Sequence, residues 1–330
     1  MKIALYSVSY AGLWYRGPAL GFDELVHRAA EYGYAGVELD GKRPHGNPLD
    51  LDAKTRERMR RLLEREGLAM ACVAANNDFS SPIAEHRECQ LLMARELVRL
   101  AADLGAPIVR LFAAWPGVAI RDGLGTYDLV RGEYYTFERQ FPYAARLERW
   151  NYVKDCLKEV AGFGEENGVT LALQNHAPLV RDWRDAYDLV REVDSPRLKM
   201  CLDLPMMLRQ DRESVREAAT TVGALQVHTH FGGEFARGRD GRVEIKRLDP
   251  SRPQPDYAYF LGLMREIGYD GYLGYELCHP VLDDRHEPLG LDYVHEQVRL
   301  AREFMGELLA TRAAAPTATA PTASAPSRDR

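Results

Sequence analysis

Four apolar, β-branched runs of this chain carry side chains able to bind a cation or move a proton. VTLALQNH closes on Gln174-Asn175-His176, LKMCLDL carries Asp203, ALQVHTHF carries His228-Thr229-His230, and GYLGYEL carries Glu276. Carboxylate oxygens, imidazole nitrogens and an amide oxygen suit Mn²⁺, Co²⁺ or Mg²⁺, with Zn²⁺ a further candidate. A cation among them polarises a carbonyl and acidifies the neighbouring C–H, while a carboxylate or imidazole moves the proton. A polar group at the end of one apolar strand is explained by a hydrogen bond or a helix cap. Four in succession at one rim are not, and they point to a metal site.

The elements that must position these residues repeat one pattern eight times. KIALYSV from Lys2, GVELD from Gly36, LAMACVAA from Leu68 and PIVRLFAAW from Pro107 precede the four runs above. Amphipathic stretches such as FDELVHRAAEYG, DAKTRERMRRLLEREG, CQLLMARELVRLAADLG and YAYFLGLMREIG lie between them, and a last helix is expected from about Leu289 to Leu309. Glycines at 33, 67, 105, 168, 223 and 268 stand where a helix needs a left-handed closing residue. Near-continuous apolar strands alternating with helices mean a parallel sheet. Eight units, with no GxGxxG after the first strand, predict an α/β fold: a closed (β/α)8 TIM barrel filling residues 1–312 as a single domain. The long strand-to-helix segments 116–141 and 232–256 are expected to be lids over the strands' C-terminal ends, and the Ala/Pro/Thr-rich tail 313–330 to be disordered.

Composition sets the surroundings. Net charge is −6 and the pI near 5.9, which gives no general electrostatic reason to bind nucleic acid or an anionic membrane. Five scattered cysteines without a CxxC argue for a reducing compartment. The opening MKIALYSVSYAGLWYRG is too short in its apolar run for a membrane span and lacks a secretory cleavage pattern, so a cytoplasmic protein is expected.

From Lys2 to Leu309 the chain resembles the xylose isomerase-like barrels of sugar isomerases and epimerases, among them ketose 3-epimerases, hydroxypyruvate isomerase and inosose dehydratase. The resemblance rests on GYAGVELD, LVRLAADLGAPIVRLF, ENGVTLALQNH, MCLDLP, VHTHFGG and GYDGYLGYEL in that order. It implies one divalent metal on Gln174, Asp203, His230 and Glu276, with His230 selected over His228 as the second His of an HxH followed by Gly. It also implies a carbohydrate substrate and a homo-oligomer.

The chain departs from the family where a strand-end Glu is Gln174. A Gln can ligate through its amide oxygen but cannot take a proton. The resemblance therefore leaves Glu276 as ligand and principal base, with His176, two residues past Gln174, as the complementary acid or base. Met206 replaces a family His, and Ala236 replaces a family Arg whose work is expected of Arg237. Glu38 and Asp40 on the second strand, Arg110 on the fourth, Trp14, Trp115 and His228 are expected to meet substrate; a core Glu38–Arg110 pair, rim packing by the two tryptophans and a place one layer deeper for His228 are the other readings. Trp150 and Trp183 are expected on helices. The implied activity is isomerisation or epimerisation of a sugar, keto sugar or polyol through an enediolate. A lyase acting on a 3-keto-glycoside or inosose is the alternative, and a non-catalytic sugar-binding barrel is the reading from outside enzymology. The many His and carboxylate ligands and the basic groove of an endonuclease IV-like repair enzyme are missing.

Overall fold

Alternation along each short run sorts its side chains onto two faces. In β1 (Lys2–Tyr6), Ile3 and Leu5 enter the core beneath the helices, while Ala4 and Tyr6 turn the other way. The same split puts Val37 and Leu39 of β2 (Gly36–Asp40) under the helices and Glu38 and Asp40 inside. The computed structural model describes residues 1–115, 117–127, 142–248 and 254–311. The tail 313–330 and parts of both long segments lie outside the described residues.

Along the chain follow β3 (Ala69–Ala74), β4 (Ile108–Leu111), β5 (Ala119–Arg121), β6 (Leu124–Thr126), β7 (Thr170–Gln174), β8 (Leu198–Cys201), β9 (Gln226–Gly232), β10 (Phe235–Arg237), β11 (Val243–Ile245) and β12 (Tyr272–Glu276). Eight of these close a parallel barrel in the order β1-β12-β9-β8-β7-β4-β3-β2. Each sits where its apolar run predicts. The other four are an addition to that expectation: β5–β6 and β10–β11 form two antiparallel hairpins within the segments read as lids.

The α-helices of the described residues are α1 (Phe22–Glu31), α2 (Ala53–Arg65), α3 (Ala84–Leu104), α4 (Arg146–Asn167), α5 (Trp183–Val193), α6 (Arg212–Val222), α7 (Tyr257–Glu266) and α8 (Leu291–Ala310). Local chemistry sets their ends. Asp52, Asp211 and Asp256 accept from backbone N–H groups of the first turns of α2, α6 and α7 at 2.7, 3.0 and 3.0 Å. Gly105 and Gly168 close α3 and α4 at φ 74° and 69°, a conformation that costs residues with a Cβ. Trp150 and Trp183 lie on α4 and α5 and are buried.

The helix-facing layer takes the aliphatic side chains, such as Val109, Leu171, Leu173, Leu198 and Leu273. Each contributes roughly 1.5–3 kcal/mol by leaving water. The inward positions are small or polar instead. Ala4, Ala172 and Gly274 leave room at the axis for Glu38, Arg110, His228 and His230, all 2% exposed or less.

Candidate metal centre

The barrel order makes β7, β8, β9 and β12 successive neighbours. Their C-terminal ends therefore present Gln174, Asp203, His230 and Glu276 along one arc of the mouth. Asn175 fixes the chain after β8: its Oδ1 accepts from the Asp203 N–H at 2.8 Å and its Nδ2 donates to the Asp203 carbonyl at 3.2 Å. The Asp203 carboxylate accepts from the His230 backbone N–H at 2.7 Å and from the Gln174 amide, and it faces His230 Nδ1 at 2.9 Å. Cys201 Sγ lies 3.4 Å from the same carboxylate.

His230 is held from its other edge. Its Nε2 is 2.9 Å from Glu38 Oε2, and His228 Nε2 is 2.7 Å from the same oxygen. Carboxylates only accept, so each Nε2 carries the proton. A neutral His230 then turns a bare Nδ1 lone pair toward an Asp203 oxygen that is also an acceptor. Only a proton or a cation reconciles the two. Gln174 Oε1 is buried with no hydrogen-bond partner. The donor set fits a divalent cation: one amide oxygen, one carboxylate, one imidazole nitrogen backed by a carboxylate, with Glu276 at the end of the neighbouring strand β12.

Charge follows this geometry. Burial opposes ionisation of Glu38, but His230 and His228 hold its carboxyl well below the usual range. Burial likewise opposes a charged His230, yet Glu38 and Asp203 raise it well above an ordinary imidazole in the metal-free protein. Burial lifts Glu276 above the usual carboxylate range, with Asp203 and Glu38 adding to the effect and His230 and Arg110 opposing it. Among the described residues nothing donates a hydrogen bond to the Glu276 carboxylate.

His176 stands just past β7. Its Nδ1 lies 2.6 Å from the Ala177 carbonyl, which can only accept, so Nδ1 carries the proton and Nε2 a lone pair. Burial pushes it down to about 4 against the pull of that carbonyl, so the ring is neutral at pH 7. Phe112 and Trp115 meet it edge-on at 5.1 and 4.8 Å, and Trp115 stacks on Phe112 at 5.0 Å. Trp14 is buried beneath the β5–β6 hairpin, stacked on Tyr127 at 5.2 Å.

Three residues expected to meet substrate stand elsewhere. Arg237 is exposed on β10 and forms a two-pronged pair with Glu303 of α8 at 2.7 and 2.8 Å, which holds it away from the mouth. Glu38 and His228 are both fully buried and bonded to each other beneath the arc. The alternative core pair of Glu38 with Arg110 is not formed either. Arg110 donates to the Tyr6 hydroxyl at 2.9 Å and the Ala75 carbonyl at 3.1 Å, and lies over Phe112 at 4.2 Å. Sequence reasoning gave no role to Asn175, although its place inside QNH was a signal. It also passed over Glu234, a buried carboxylate tied to Lys246, His279 and Tyr293.

The sequence profile of the xylose isomerase-like TIM barrels matches residues 26–304. The chain belongs to that family. Among solved structures it is similar to the D-psicose 3-epimerase of Clostridium cellulolyticum H10, with 17% identity over 94% of this chain and 99% of that one and a TM-score of 0.68. The 3-keto-D-glucoside 4-epimerase of E. coli gives 17% identity, the same coverage and a TM-score of 0.65. A probable 3-DHS dehydratase of Bacillus anthracis gives 17%, 91% and 98% coverage, and 0.60. At these identities the likeness to each of the three is one of fold. No helix among the described residues is long and apolar enough to cross a membrane.

Proposed function

We propose that this family member is a divalent-metal-dependent isomerase or epimerase acting on a sugar, keto sugar or related polyol. The observation that carries the reading is the arc itself: a carboxylate of raised pKa, Glu276, to which no described residue donates a hydrogen bond, on the strand end next to the Gln174–Asp203–His230 cluster. Gln174, Asp203, His230 and Glu276 would hold one ion, Mn²⁺, Co²⁺ or Mg²⁺ by their oxygen-rich set, with Zn²⁺ the further candidate. Such an ion supplies Lewis acidity that lowers the pKa of a C–H next to a substrate carbonyl. Glu276 takes that proton; its raised pKa brings it nearer to a useful base at neutral pH. The His176 Nε2 lone pair stands three strands round the barrel from β12, where it accepts a hydroxyl proton and returns it. Glu38 would hold His230 in the tautomer that leaves Nδ1 free to bind the ion, with the Asp203 carboxylate next to it as a fellow ligand. Activities named for the epimerase neighbours support a keto-sugar substrate.

One observation favours a second reading. Gln174 leaves the arc with a single strong base, which suits elimination by a lyase on a 3-keto-glycoside or inosose, and the dehydratase neighbour agrees with it. The test is incubation of the metal-loaded protein with keto sugars in D₂O, followed by mass spectrometry. Deuterium gained without loss of mass elsewhere means isomerisation or epimerisation, and loss of water or of an aglycone means the lyase. Absence of both across the panel overturns the proposal in favour of a sugar-binding barrel.

A further inference from the structure

Asp40 shares the inward face of β2 with Glu38, one step nearer the mouth. Glu38 is used up by its two histidines, but Asp40 is not. It is 1% exposed; Oδ1 accepts from Asn76 Nδ2 at 2.6 Å, while Oδ2 is buried without a hydrogen bond. Among the described residues the cation paired with Oδ2 is the Lys42 ammonium at 3.5 Å. A buried carboxylate oxygen left open costs free energy, so its place in the mouth calls for a donor. The carboxylate is also rigidly set. Ser7 Oγ accepts from the Asp40 backbone N–H at 2.8 Å, and Gly46 lies so flat on the Asp40 carbonyl that a Cβ there would overlap it.

The ring order places this group. β2 stands four places from β8 in a closed ring of eight, and β3, which leads to Asn76, stands four places from β9. Asp40 and Asn76 therefore face Asp203 and His230 across the full width of the mouth. The interior of an eight-stranded parallel barrel is filled by side chains, so a ligand spanning these groups lies above it, at the strands' C-terminal ends. We infer that Asp40, with Asn76 and Lys42, binds the hydroxyl end of an unphosphorylated polyol whose carbonyl end lies at the metal arc. This rests on the reading above for the position of the reacting end. A hydroxyl both donates and accepts, so it can give its proton to Asp40 Oδ2 and accept from Lys42. A phosphate at neutral pH offers Asp40 no donor and meets it with like charge.

The test separates binding from reaction. Xylitol has the hydroxyls but no carbonyl; because vicinal hydroxyls also ligate divalent ions, its binding to the full-length protein is followed by titration calorimetry with and without metal, and the part that depends on Asp40 reads this subsite. Wild type is expected to bind xylitol, and Asp40→Asn to bind it about tenfold or more weakly, with melting temperature and metal content unchanged. Asn76→Ala, which frees the Asp40 side chain, is expected to do the same and serves if Asp40→Asn fails to fold. With D-fructose in D₂O, either variant is expected to raise KM and leave kcat nearly unchanged. Wild-type affinity in both variants, no xylitol binding by the wild type, or tighter binding of xylitol 5-phosphate overturns the inference. Xylitol binding that depends on Asp40, without deuterium exchange into any keto sugar, would instead overturn the proposed reaction and leave the subsite standing.

Discussion

His230 is gripped at Nε2 by Glu38, whose Oε2 reaches it at 2.9 Å from β2 across the barrel. That carboxylate fixes which nitrogen faces Asp203, a role that charge alone would not fill. Replacing Glu38 with Gln keeps the shape but lets an amide turn either group toward the ring. Metal affinity is expected to fall about 10–100-fold. Competition with a fluorescent chelator measures it, and unchanged affinity would show that Asp203 alone orients the ring.

The cluster has little slack at Gly274. A Cβ there would lie 2.8 Å from His230 Cδ2 and 2.9 Å from Glu38 Oε2. Gly274→Ala is therefore expected to destabilise the fold by about 1–3 kcal/mol, as overpacking does, and to lower metal content. Chemical denaturation and elemental analysis test the two effects separately. A variant as stable and as metal-rich as wild type would mean that the β12 backbone retreats freely.

Asp203→Asn and His230→Ala should each strip the metal while far-UV circular dichroism stays native. Metal content equal to wild type in both would place the ion elsewhere.

On the proposed function, proton movement is divided between Glu276 and His176. Glu276→Gln should abolish deuterium wash-in at the acidic carbon. His176→Ala should slow turnover about 10²–10⁴-fold, the usual yield of a positioned acid or base. Gln174→Glu adds a carboxylate beside Asp203 and should tighten the metal. If His176→Ala exchanges like wild type, His176 serves only as a wall beside Trp115.

Glu234 supplies a pH dependence. Burial opposes its charge, but hydrogen bonds from His279, Tyr293 and Lys246 bring it down to about 2 from an ordinary 4.5. A carboxyl depressed on folding stabilises the protein above its unfolded pKa, and that stabilisation is lost as pH falls from about 4.5 toward 2. It amounts to roughly 3 kcal/mol. Glu234→Gln should flatten the acid limb of a plot of melting temperature against pH over that window. An acid limb identical to wild type would show that the unfolded state keeps the same contacts.

The barrel and the arc were readable because strand alternation is strict: Gln174, Asp203 and Glu276 follow apolar runs whose other face must meet helices. Partner choice was not readable. Whether Glu38 pairs with Arg110 or with His228 and His230 depends on which strands meet across the closed ring, and no local pattern encodes that. Arg237 was misplaced for a related reason. Its hairpin carries it outward, where Glu303, far along the chain on α8, captures it.

Among the described residues, the hairpins β5–β6 and β10–β11 each pair their two strands only with each other. Neither contributes a strand to the ring that supports Asp203 and His230. A change of length in either hairpin therefore leaves the circle of eight paired strands unbroken, and the histidine–carboxylate lattice keeps its footing.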